Sequence, residues 1–417
     1  MHGRSLFFLI AIIVLILIDL YAFKGIRSVS VSWKPFIKYG IRISYWAITL
    51  FIWLGFVLIA FKAGEAQRAG NYRFFHLIVG LWFLFVVPKL VFSVFHLVED
   101  LTWLVSWTKL KLFPPVQETT GEVVSRAKFI TQIGLAVSVI PFLSVGYGIL
   151  KGRFDFKVMR EKLAFKDLPS KFDGLKIVQI SDLHLGSFSN DHDVVRKGIK
   201  IINDLEPDLI LFTGDMVNNV AEETDGWTEV FKELDAKLGK FSILGNHDYG
   251  DYIGWPTKEE KAANLERLKK VQANMGFRLL LDEHIDLGDG FGLLGIQNWG
   301  GGNMRFAKYG DLEKTMHGAE KYRFRLLMSH DPTHWDEQVL NKKPIDLTLS
   351  GHTHGAQMGV KIASTVYSPA QIFYERWAGL YKEGEQYLYV NRGFGFIGFP
   401  GRVGMPPEIT LIELRKA

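Results

Sequence analysis

The chain has 417 residues, 48% of them hydrophobic, with no cysteine and a formal net charge of +5. This length exceeds that of one ordinary domain, and the missing cysteines exclude disulfides and thiolate metal sites, in keeping with a reducing compartment. The charge is modest and much of it flanks hydrophobic runs, which favours lipid headgroups over nucleic acid as a partner.

Residues 1–150 predict a membrane domain, because Phe, Leu, Ile, Val and Trp dominate them. Four apolar runs in this part are long enough to cross a bilayer as helices, over residues 6–23, 43–61, 74–98 and 129–150. For the first run a signal peptide is the alternative, but no small-residue cleavage site follows it. We therefore expect about four transmembrane helices in a bacterial inner (cytoplasmic) membrane, with the lipid bilayer as a partner.

The basic residues divide equally between the two predicted sides of the membrane, so the positive-inside rule gives no orientation. A dense basic cluster from Lys151 to Lys162 directly follows the last run, and it favours a cytoplasmic location for the domain that follows. Several polar residues lie within or beside the runs, mostly near helix ends where the membrane interface accounts for them. An intramembrane site is the alternative for these residues: Asp19, His76, Lys89, His96, Glu99 and Asp100.

Residues 151–417 predict a soluble α/β domain. An edge strand is expected within 154–169, and apolar residues at helical spacing predict helices over 191–205, 228–238 and 258–275. The later segments LLLDEHIDL, GFGLLGIQN and EQYLYVNRG are typical of paired strands. The expected fold class is an N-terminal α-helical transmembrane bundle followed by an α/β domain with two β-sheets sandwiched between helices.

Five predicted strands of the second domain each end in Asp, Asn or His side chains. In open α/β sheets, ligands gather outside the carboxyl ends of the strands. Carboxylate oxygens and imidazole nitrogens aimed at one point suit a metal ion. Taken singly, each residue has an ordinary alternative as a turn residue, a helix cap or a core histidine. The strand-end residues are Asp182, His184, Asp215, Asn246, His247, Asp248, His330, Asp331, His352 and His354.

The motifs SDLH, GDMV, GNHD, SHDP and GHTHG occur in that order, and together they resemble the calcineurin-like metallophosphoesterase superfamily. The final stretch, with NRGFG, Arg402 and PPEI, resembles a bacterial branch of membrane-associated phosphodiesterases that includes a UDP-diacylglucosamine pyrophosphatase. The resemblance covers the chain from about residue 163 onwards and implies the metallophosphoesterase fold for that part.

The resemblance implies two divalent metal ions, with Mn favoured and Fe, Zn or Co as alternatives. It also implies a hydroxide that bridges the ions and attacks phosphorus in a phosphoester. It assigns seven ligands: Asp182, His184 and His354 to the first ion, Asn246, His330 and His352 to the second, and Asp215 to both.

Two further residues receive catalytic roles from the resemblance. His247, beside the ligand Asn246, would protonate the leaving oxygen as a general acid. Asp248 would orient the His247 ring, since a carboxylate can fix the tautomer of an imidazole.

The implied function is phosphoester hydrolysis by a membrane-anchored dinuclear enzyme, with a lipid-linked or UDP-sugar-lipid substrate as one option. The alternatives are an enzyme acting on soluble nucleotides and a non-catalytic regulatory membrane protein; the oligomeric state stays open.

Some residues keep two interpretations. Arg392 and Arg402 are expected either to bind a phosphate or to cap the local structure. Asp331 is expected either to hold a metal ligand in place or to contact substrate. Three aromatic residues form either a lipid-contacting lip or core: Phe394, Phe396 and Phe399. Four histidines match no motif and are expected at the surface: His192, His284, His317 and His334.

Overall fold

The computed structural model describes residues 2–113, 122–301, 306–363 and 365–417. The chain up to Phe61 and Leu77–Tyr147 form one compact unit, and Lys62–His76 and Gly148–Ala417 form a second. The domain boundary after residue 150 stays a prediction. The second unit takes in Lys62–His76, a segment that the hydropathy pattern had grouped with the membrane domain.

Four long helices make up most of the N-terminal part: α1 (His2–Val29), α2 (Pro35–Arg68), α3 (Arg73–Leu112) and α4 (Glu122–Leu150). Among the described residues, three stretches are long and apolar enough to cross a membrane, over Pro35–Lys62, Arg73–Leu112 and Phe129–Phe154. The chain therefore carries membrane-spanning helices, and the additional span expected over α1 stays a prediction.

A buried ion pair joins three of these helices. Lys89 Nζ of α3 lies 2.7 Å from Asp19 Oδ1 of α1, and it donates to Thr49 Oγ1 of α2 at 2.9 Å. Trp53 Nε1 donates to Asp19 Oδ2 at 3.0 Å. Asp19 and Lys89 thus form an ion pair inside the first unit, and the interfacial and intramembrane interpretations of these residues both stay predictions.

The second unit contains two six-stranded sheets with the orders β1-β14-β2-β3-β4-β5 and β12-β13-β9-β8-β7-β6. The strands of the first sheet are β1 (Lys157–Phe165), β2 (Lys176–Ile180), β3 (Leu209–Phe212), β4 (Lys240–Ser242), β5 (Phe277–Leu279) and β14 (Glu408–Lys416). Those of the second are β6 (Glu283–Asp286), β7 (Phe291–Gly295), β8 (Phe324–Met328), β9 (Leu347–Ser350), β12 (Gly379–Glu383) and β13 (Gln386–Val390). A separate antiparallel hairpin consists of β10 (Val360–Ile362) and β11 (Thr365–Tyr367).

Helices cover the outer faces of the two sheets: α5 (His192–Asp204), α6 (Thr228–Lys232), α7 (Lys258–Asn274) and α8 (Leu312–Met316). One core cluster joins side chains of both sheets, including Leu211 of β3 and Leu326 of β8. The other clusters lie between each sheet and its helices, as with Ile199 of α5. The predicted fold class is confirmed: two β-sheets are sandwiched between helices.

Helix α6 ends six residues earlier than predicted. The sequence favoured 228–238, but the helix stops at Lys232. Asn203 of α5 donates to Glu233 O at 2.7 Å and accepts from Asp235 N at 3.1 Å. A side chain from another helix therefore binds the backbone groups that a longer helix would need for itself.

The carboxyl ends of the central strands meet at one edge of the sandwich. Ile180, Phe212 and Ser242 are register partners at the ends of β2, β3 and β4. Across the sandwich, Gln179 Nε2 donates to Ser350 O at 2.9 Å, which joins β2 of one sheet to the end of β9 in the other. The five strand-end motifs consequently converge, although they are spread over more than 170 residues of sequence.

Candidate metal centre

Six of the seven predicted ligands form two clusters of potential metal-binding atoms. Within each cluster the candidate ligand atoms lie within 4.8 Å of one another. Two atoms that each bind an ion at about 2.1 Å are separated by about 3 to 4.2 Å, so this spacing suits coordination. The clusters are Asp182, His184 and His354, and Asp215, His330 and His352.

Asp215 belongs to the second cluster and also lies close to the first, so it is shared between them. Its Oδ2 is 3.1 Å from His330 Nε2 in one cluster and 3.7 Å from His184 Nε2 in the other. Its Oδ1 accepts from the backbone N–H of His247 at 2.9 Å, which holds the carboxylate in place. This position is the one that a ligand shared by two ions must occupy.

The backbone at the site is strained. Positive φ values are uncommon for residues other than glycine, and they concentrate where function demands an unusual geometry. Here they turn the chain sharply after each strand and direct the side chains inward. Five candidate ligands have φ angles in the left-handed region: Asp182 (54°), His184 (48°), Asp215 (61°), His352 (75°) and His354 (51°).

Two glycines make the close approach of these segments possible. A Cβ at Gly245 would collide with the Asp215 carboxylate, and a Cβ at Gly351 would collide with Ser181 Oγ and Asp182 Oδ2. The glycines that precede Asn246 and His352 in the sequence motifs are therefore required by packing against the carboxylates.

Backbone carbonyls fix the orientation of two of the histidines. His184 Nδ1 is 3.1 Å from Val217 O, and His330 Nδ1 is 2.7 Å from Thr213 O. Because a carbonyl oxygen only accepts, each Nδ1 must donate its proton. The Nε2 atoms then face the clusters, and His184 Nε2 lies 3.0 Å from His354 Nε2.

His352 is turned the other way. Its Nδ1 lies 3.3 Å from His330 Nε2, inside the second cluster, whereas its Nε2 lies 2.9 Å from the Tyr374 hydroxyl. Asn246 completes this cluster, since its Oδ1 is 3.1 Å from His330 Nε2. Its Nδ2 donates to the Tyr252 hydroxyl at 2.7 Å, which directs the amide oxygen towards the cluster.

Electrostatics favour cations at this site. Burial lowers the pKa of His184 to about 3 and that of His352 to about 4, so both imidazoles are neutral at pH 7. Burial opposes protonation of His330, yet the charges of Asp215 and Asp182 raise the pKa of its imidazole to about 10. The same negative potential would hold a metal ion, and the donor set of neutral imidazoles, carboxylates and one amide oxygen fits two divalent ions.

Comparisons with known proteins agree with this geometry. Residues 175–356 match the family model described as calcineurin-like phosphoesterase, and residues 3–153 match that of a probable calcineurin-like phosphoesterase transmembrane domain. An uncharacterized metallophosphoesterase of Bacillus subtilis, YkuE, is 31% identical over 60% of this chain and 82% of its own length. The chain belongs to the calcineurin-like phosphoesterase family.

Two further relatives also carry a membrane or lipid description. A transmembrane protein with metallophosphoesterase domain from Danio rerio is 30% identical over 69% of this chain and 63% of its own length, so the chain spans less than two thirds of it. UDP-2,3-diacylglucosamine pyrophosphatase LpxG of Chlamydia trachomatis is 31% identical over 59% of this chain and 86% of its own length. The present protein is therefore a metallophosphoesterase, a hydrolase of phosphoester bonds, with a transmembrane region.

In this metallophosphoesterase, His247 and Asp248 have separate surroundings. His247 Nδ1 lies 2.7 Å from Asn218 O. The Asp248 carboxylate instead accepts backbone N–H groups of Asp215, Met216 and Gly245 at 2.8–3.0 Å. The prediction that Asp248 orients the His247 ring is wrong, because Asp248 is already bound to the loops that carry Asp215 and Asn246. Asn218 O orients the ring instead.

Sequence reasoning missed a buried pair that supports the loop 217–220. Glu223 accepts the N–H groups of Asn218 at 2.6 Å and Asn219 at 2.8 Å, and Tyr72 donates its hydroxyl to Glu223 at 3.0 Å. The loop's carbonyls at Val217 and Asn218 orient His184 and His247. Nothing in the local pattern around Glu223 or Tyr72 indicated this role, since the two residues are 151 positions apart.

The structure gives the contacts of three residues for which the sequence left two roles open. Arg402 is buried and donates to the carbonyl oxygens of Arg392 at 2.9 Å and Gly395 at 2.8 Å, so it stabilises a loop beside the site. Arg392 lies 3.5 Å from the Glu408 carboxylate. Asp331 accepts from Gly301 N and from the Thr333 hydroxyl.

The structure also shows which of the C-terminal phenylalanines and of the four histidines without a motif are buried. The phenylalanines of the NRGFG segment and beyond are core and not a lip: Phe394, Phe396 and Phe399 are buried. The surface prediction for His334 is wrong, because this residue is fully buried with its Nδ1 2.9 Å from Ser329 Oγ. His317 is exposed, and His192 and His284 are partly buried.

A cavity of about 310 Å³ opens onto the candidate metal centre. Asp215, Asn246 and two of the histidine ligands, His352 and His354, form its polar floor, and His247 contributes to its wall. Aromatic and aliphatic side chains form most of the remaining wall: Tyr252, Phe306, Ala356, Ala370, Phe373, Tyr374 and Ile397. The cavity thus combines a polar floor with apolar walls, a combination typical of sites for amphipathic ligands.

Proposed function

We propose that this protein is a membrane-anchored dinuclear phosphohydrolase. The observation that carries the proposal is the position of Asp215 between two ligand clusters. In this proposal Asp182, His184 and His354 hold one divalent ion, Asn246, His330 and His352 hold the other, and Asp215 binds both. Divalent ions at such a site supply Lewis acidity towards phosphoryl oxygens and acidify water.

The residues of the chain provide orientation and proton transfer. His247 would donate a proton to the leaving oxygen from Nε2, because its Nδ1 proton is held by Asn218 O. Tyr252 and Tyr374 fix the orientations of Asn246 and His352 through their hydroxyl groups. The hydrophobic cavity wall would limit water around the phosphoryl group, which strengthens these interactions.

We further infer that the substrate is a lipid-linked phosphoester or pyrophosphate. Three arguments support this class over soluble nucleotides: the chain carries membrane-spanning helices, the cavity walls are mostly apolar, and a relative is named as a UDP-2,3-diacylglucosamine pyrophosphatase. The bacterial inner membrane and a cytoplasmic site remain part of this proposal, as does manganese as the preferred metal.

The test uses full-length protein in detergent, stripped of metal and reloaded separately with Mn, Fe, Zn or Co. Hydrolysis of bis-p-nitrophenyl phosphate and metal content are measured for wild type, Asp215→Ala and the control Asp193→Ala, whose side chain is 91% exposed. Asp215→Ala should lose about 10²-fold or more in kcat and bind less metal, whereas the control should behave as wild type. Full activity of Asp215→Ala would contradict the dinuclear proposal.

Substrate class requires a second assay. Diacylated and deacylated forms of one UDP-sugar pyrophosphate are compared at equal concentration in mixed micelles. The lipid proposal predicts a kcat/KM for the diacylated form at least about tenfold higher, because only that form can bury acyl chains against the apolar walls. Equal values would favour soluble substrates.

A further inference from the structure

The hairpin β10–β11 exposes large apolar side chains on one face. Val360 pairs with Tyr367 and Ile362 pairs with Thr365, so these side chains share a face, whereas Lys361 points to the other. Val360 is 63% exposed, Ile362 62% and Tyr367 52%. A two-stranded ribbon with its apolar side uncovered is unusual in a soluble domain.

The apolar surface continues towards the mouth of the cavity. Ile372 is 79% exposed and Phe373 is 56% exposed, and Phe373 also lines the cavity. Ser368, between the hairpin and these two residues, donates its hydroxyl to Gly355 O at 2.7 Å, next to the candidate ligand His354. We call this surface the apolar lip; it consists of Val360, Ile362, Tyr367, Ile372 and Phe373.

The apolar lip is anchored to the end of the last membrane-spanning stretch, Phe129–Phe154. Arg402 N donates to Gly148 O at 3.1 Å, and Arg153 Nη1 donates to Pro400 O at 3.0 Å. From the same loop, Val403 O accepts from Gly359 N at 2.8 Å, one residue before β10 begins. All of these residues belong to the second compact unit, so two backbone hydrogen bonds and one from the Arg153 side chain join the hairpin to the chain that leaves the membrane.

Physical chemistry favours a bilayer as the partner of this surface. Apolar side chains gain free energy in proportion to the area removed from water, and interfacial elements bury such a face at the headgroup–acyl boundary. Tyrosine is enriched at that boundary, and a lysine on the opposite face can reach anionic headgroups, as Tyr367 and Lys361 would. Because Gly148 belongs to the last membrane-spanning stretch, the bilayer that this stretch would cross is the candidate partner of the hairpin.

We propose that the apolar lip inserts into the interfacial region of the bilayer that this chain spans, and that it holds the mouth of the cavity at the lipid surface. The acyl chains of a substrate would then lie along the lip while its phosphoryl group reaches the candidate metal centre. The passage of acyl chains rests on the proposed function, whereas the insertion of the apolar lip does not.

Insertion is tested by site-directed labelling of the full chain in nanodiscs of phosphatidylethanolamine and phosphatidylglycerol. The natural chain has no cysteine, so Ile362→Cys and the control Leu238→Cys each carry a single thiol for a nitroxide label. Leu238 is 48% exposed and lies in the same unit. The label at 362 should be accessible to oxygen and protected from a water-soluble nickel chelate, and the label at 238 should show the reverse.

Two outcomes would overturn the proposal. One is equal access of the nickel chelate to both labels. The other is dipolar broadening between labels at 362 in nanodiscs holding two chains, which would assign the surface to a second copy of the protein.

Function is tested with the triple variant Val360→Ser, Ile362→Ser, Tyr367→Ser, since none of these side chains lines the cavity. Its kcat/KM for a diacyl substrate in vesicles should fall about tenfold or more, with hydrolysis of bis-p-nitrophenyl phosphate within twofold of wild type. If the triple variant and the wild type have equal kcat/KM on vesicles, the lip has no role in substrate delivery. If the wild-type protein hydrolyses neither substrate, the proposed function is contradicted. The labelling experiment still tests membrane insertion, because it does not depend on activity.

Discussion

The amide of Asn246 shows how a single hydrogen bond determines the chemistry of a ligand. Its oxygen faces His330 because its nitrogen donates to Tyr252. If the amide were reversed, an NH₂ group would face the second cluster and repel a cation. Similar pairings fix His184 through Val217 O and His352 through the Tyr374 hydroxyl. Metal affinity therefore depends on atoms that do not touch the metal.

Tyr252→Phe should weaken metal binding by about tenfold, because Asn246 loses the acceptor that fixes its amide. The measurement is a manganese titration of activity in metal-stripped protein. Tyr309→Phe is the matched control: it also removes a tyrosine hydroxyl, but that hydroxyl donates to the Asp251 carboxylate and contacts no candidate ligand. Identical titration curves for wild type and Tyr252→Phe would contradict the role of Tyr252.

His247→Ala should lower kcat for substrates with poor leaving groups by about 10²-fold or more, since a general acid contributes most when the leaving oxygen is basic. With p-nitrophenyl esters the loss should be much smaller, because p-nitrophenolate leaves without protonation. The comparison uses an alkyl and a p-nitrophenyl diester under the same conditions. Equal losses on both substrates would remove His247 from the acid role.

At the scale of elements, the loop 217–220 depends on a segment from a distant part of the chain. Tyr72 lies in Lys62–His76, between α2 and α3, yet this segment belongs to the second unit. Its hydroxyl reaches Glu223, which in turn holds the backbone of Asn218 and Asn219. The connection between two membrane helices therefore supports the loop that orients His184 and His247.

Tyr72→Phe should lower the free energy of unfolding of the second unit by about 1.5–3 kcal/mol, the contribution of a hydrogen bond to a buried charged group. It should also reduce kcat more for poor leaving groups than for p-nitrophenyl esters, because the loop orients His247. Thermal unfolding in detergent and the two-substrate assay measure these effects, with Tyr309→Phe as control. An unchanged unfolding temperature together with unchanged kcat would show that Glu223 holds the loop without Tyr72.

At the scale of the whole molecule, the candidate ligands combine a strained backbone with buried carboxylates. Metal ions would compensate the negative charge of these carboxylates. Ions that bind only the folded state stabilise it by mass action. The second unit should therefore be the part of the protein that responds to metal, and the helices of the first unit should not.

Addition of manganese to metal-stripped protein should raise the stability of the second unit by about 4 kcal/mol at a free concentration of 1,000 times Kd. Differential scanning calorimetry in detergent, with and without a chelator, measures this shift, and Asp215→Ala should largely abolish it. A shift of the same size in Asp215→Ala would place the stabilising ion elsewhere.

The amino-acid sequence by itself determined the fold class and predicted which strand-end side chains lie close together. Both follow from local patterns: short apolar strands each followed by Asp, Asn or His, and long apolar runs before residue 150. Parallel strands bring such ends to one edge of a sheet whatever the details of packing, so the convergence of Asp182, Asp215 and His330 could be anticipated.

Only the tertiary structure decided which groups support those residues. The partner of His247 is Asn218 O and not Asp248, and Tyr72 belongs to the second unit. The exposed apolar surface comes from the hairpin β10–β11 and not from the buried phenylalanines. The physical reason is that orientation and burial depend on contacts between residues far apart in the chain. Tyr72 and Glu223, 151 positions apart, become neighbours only when the chain is folded.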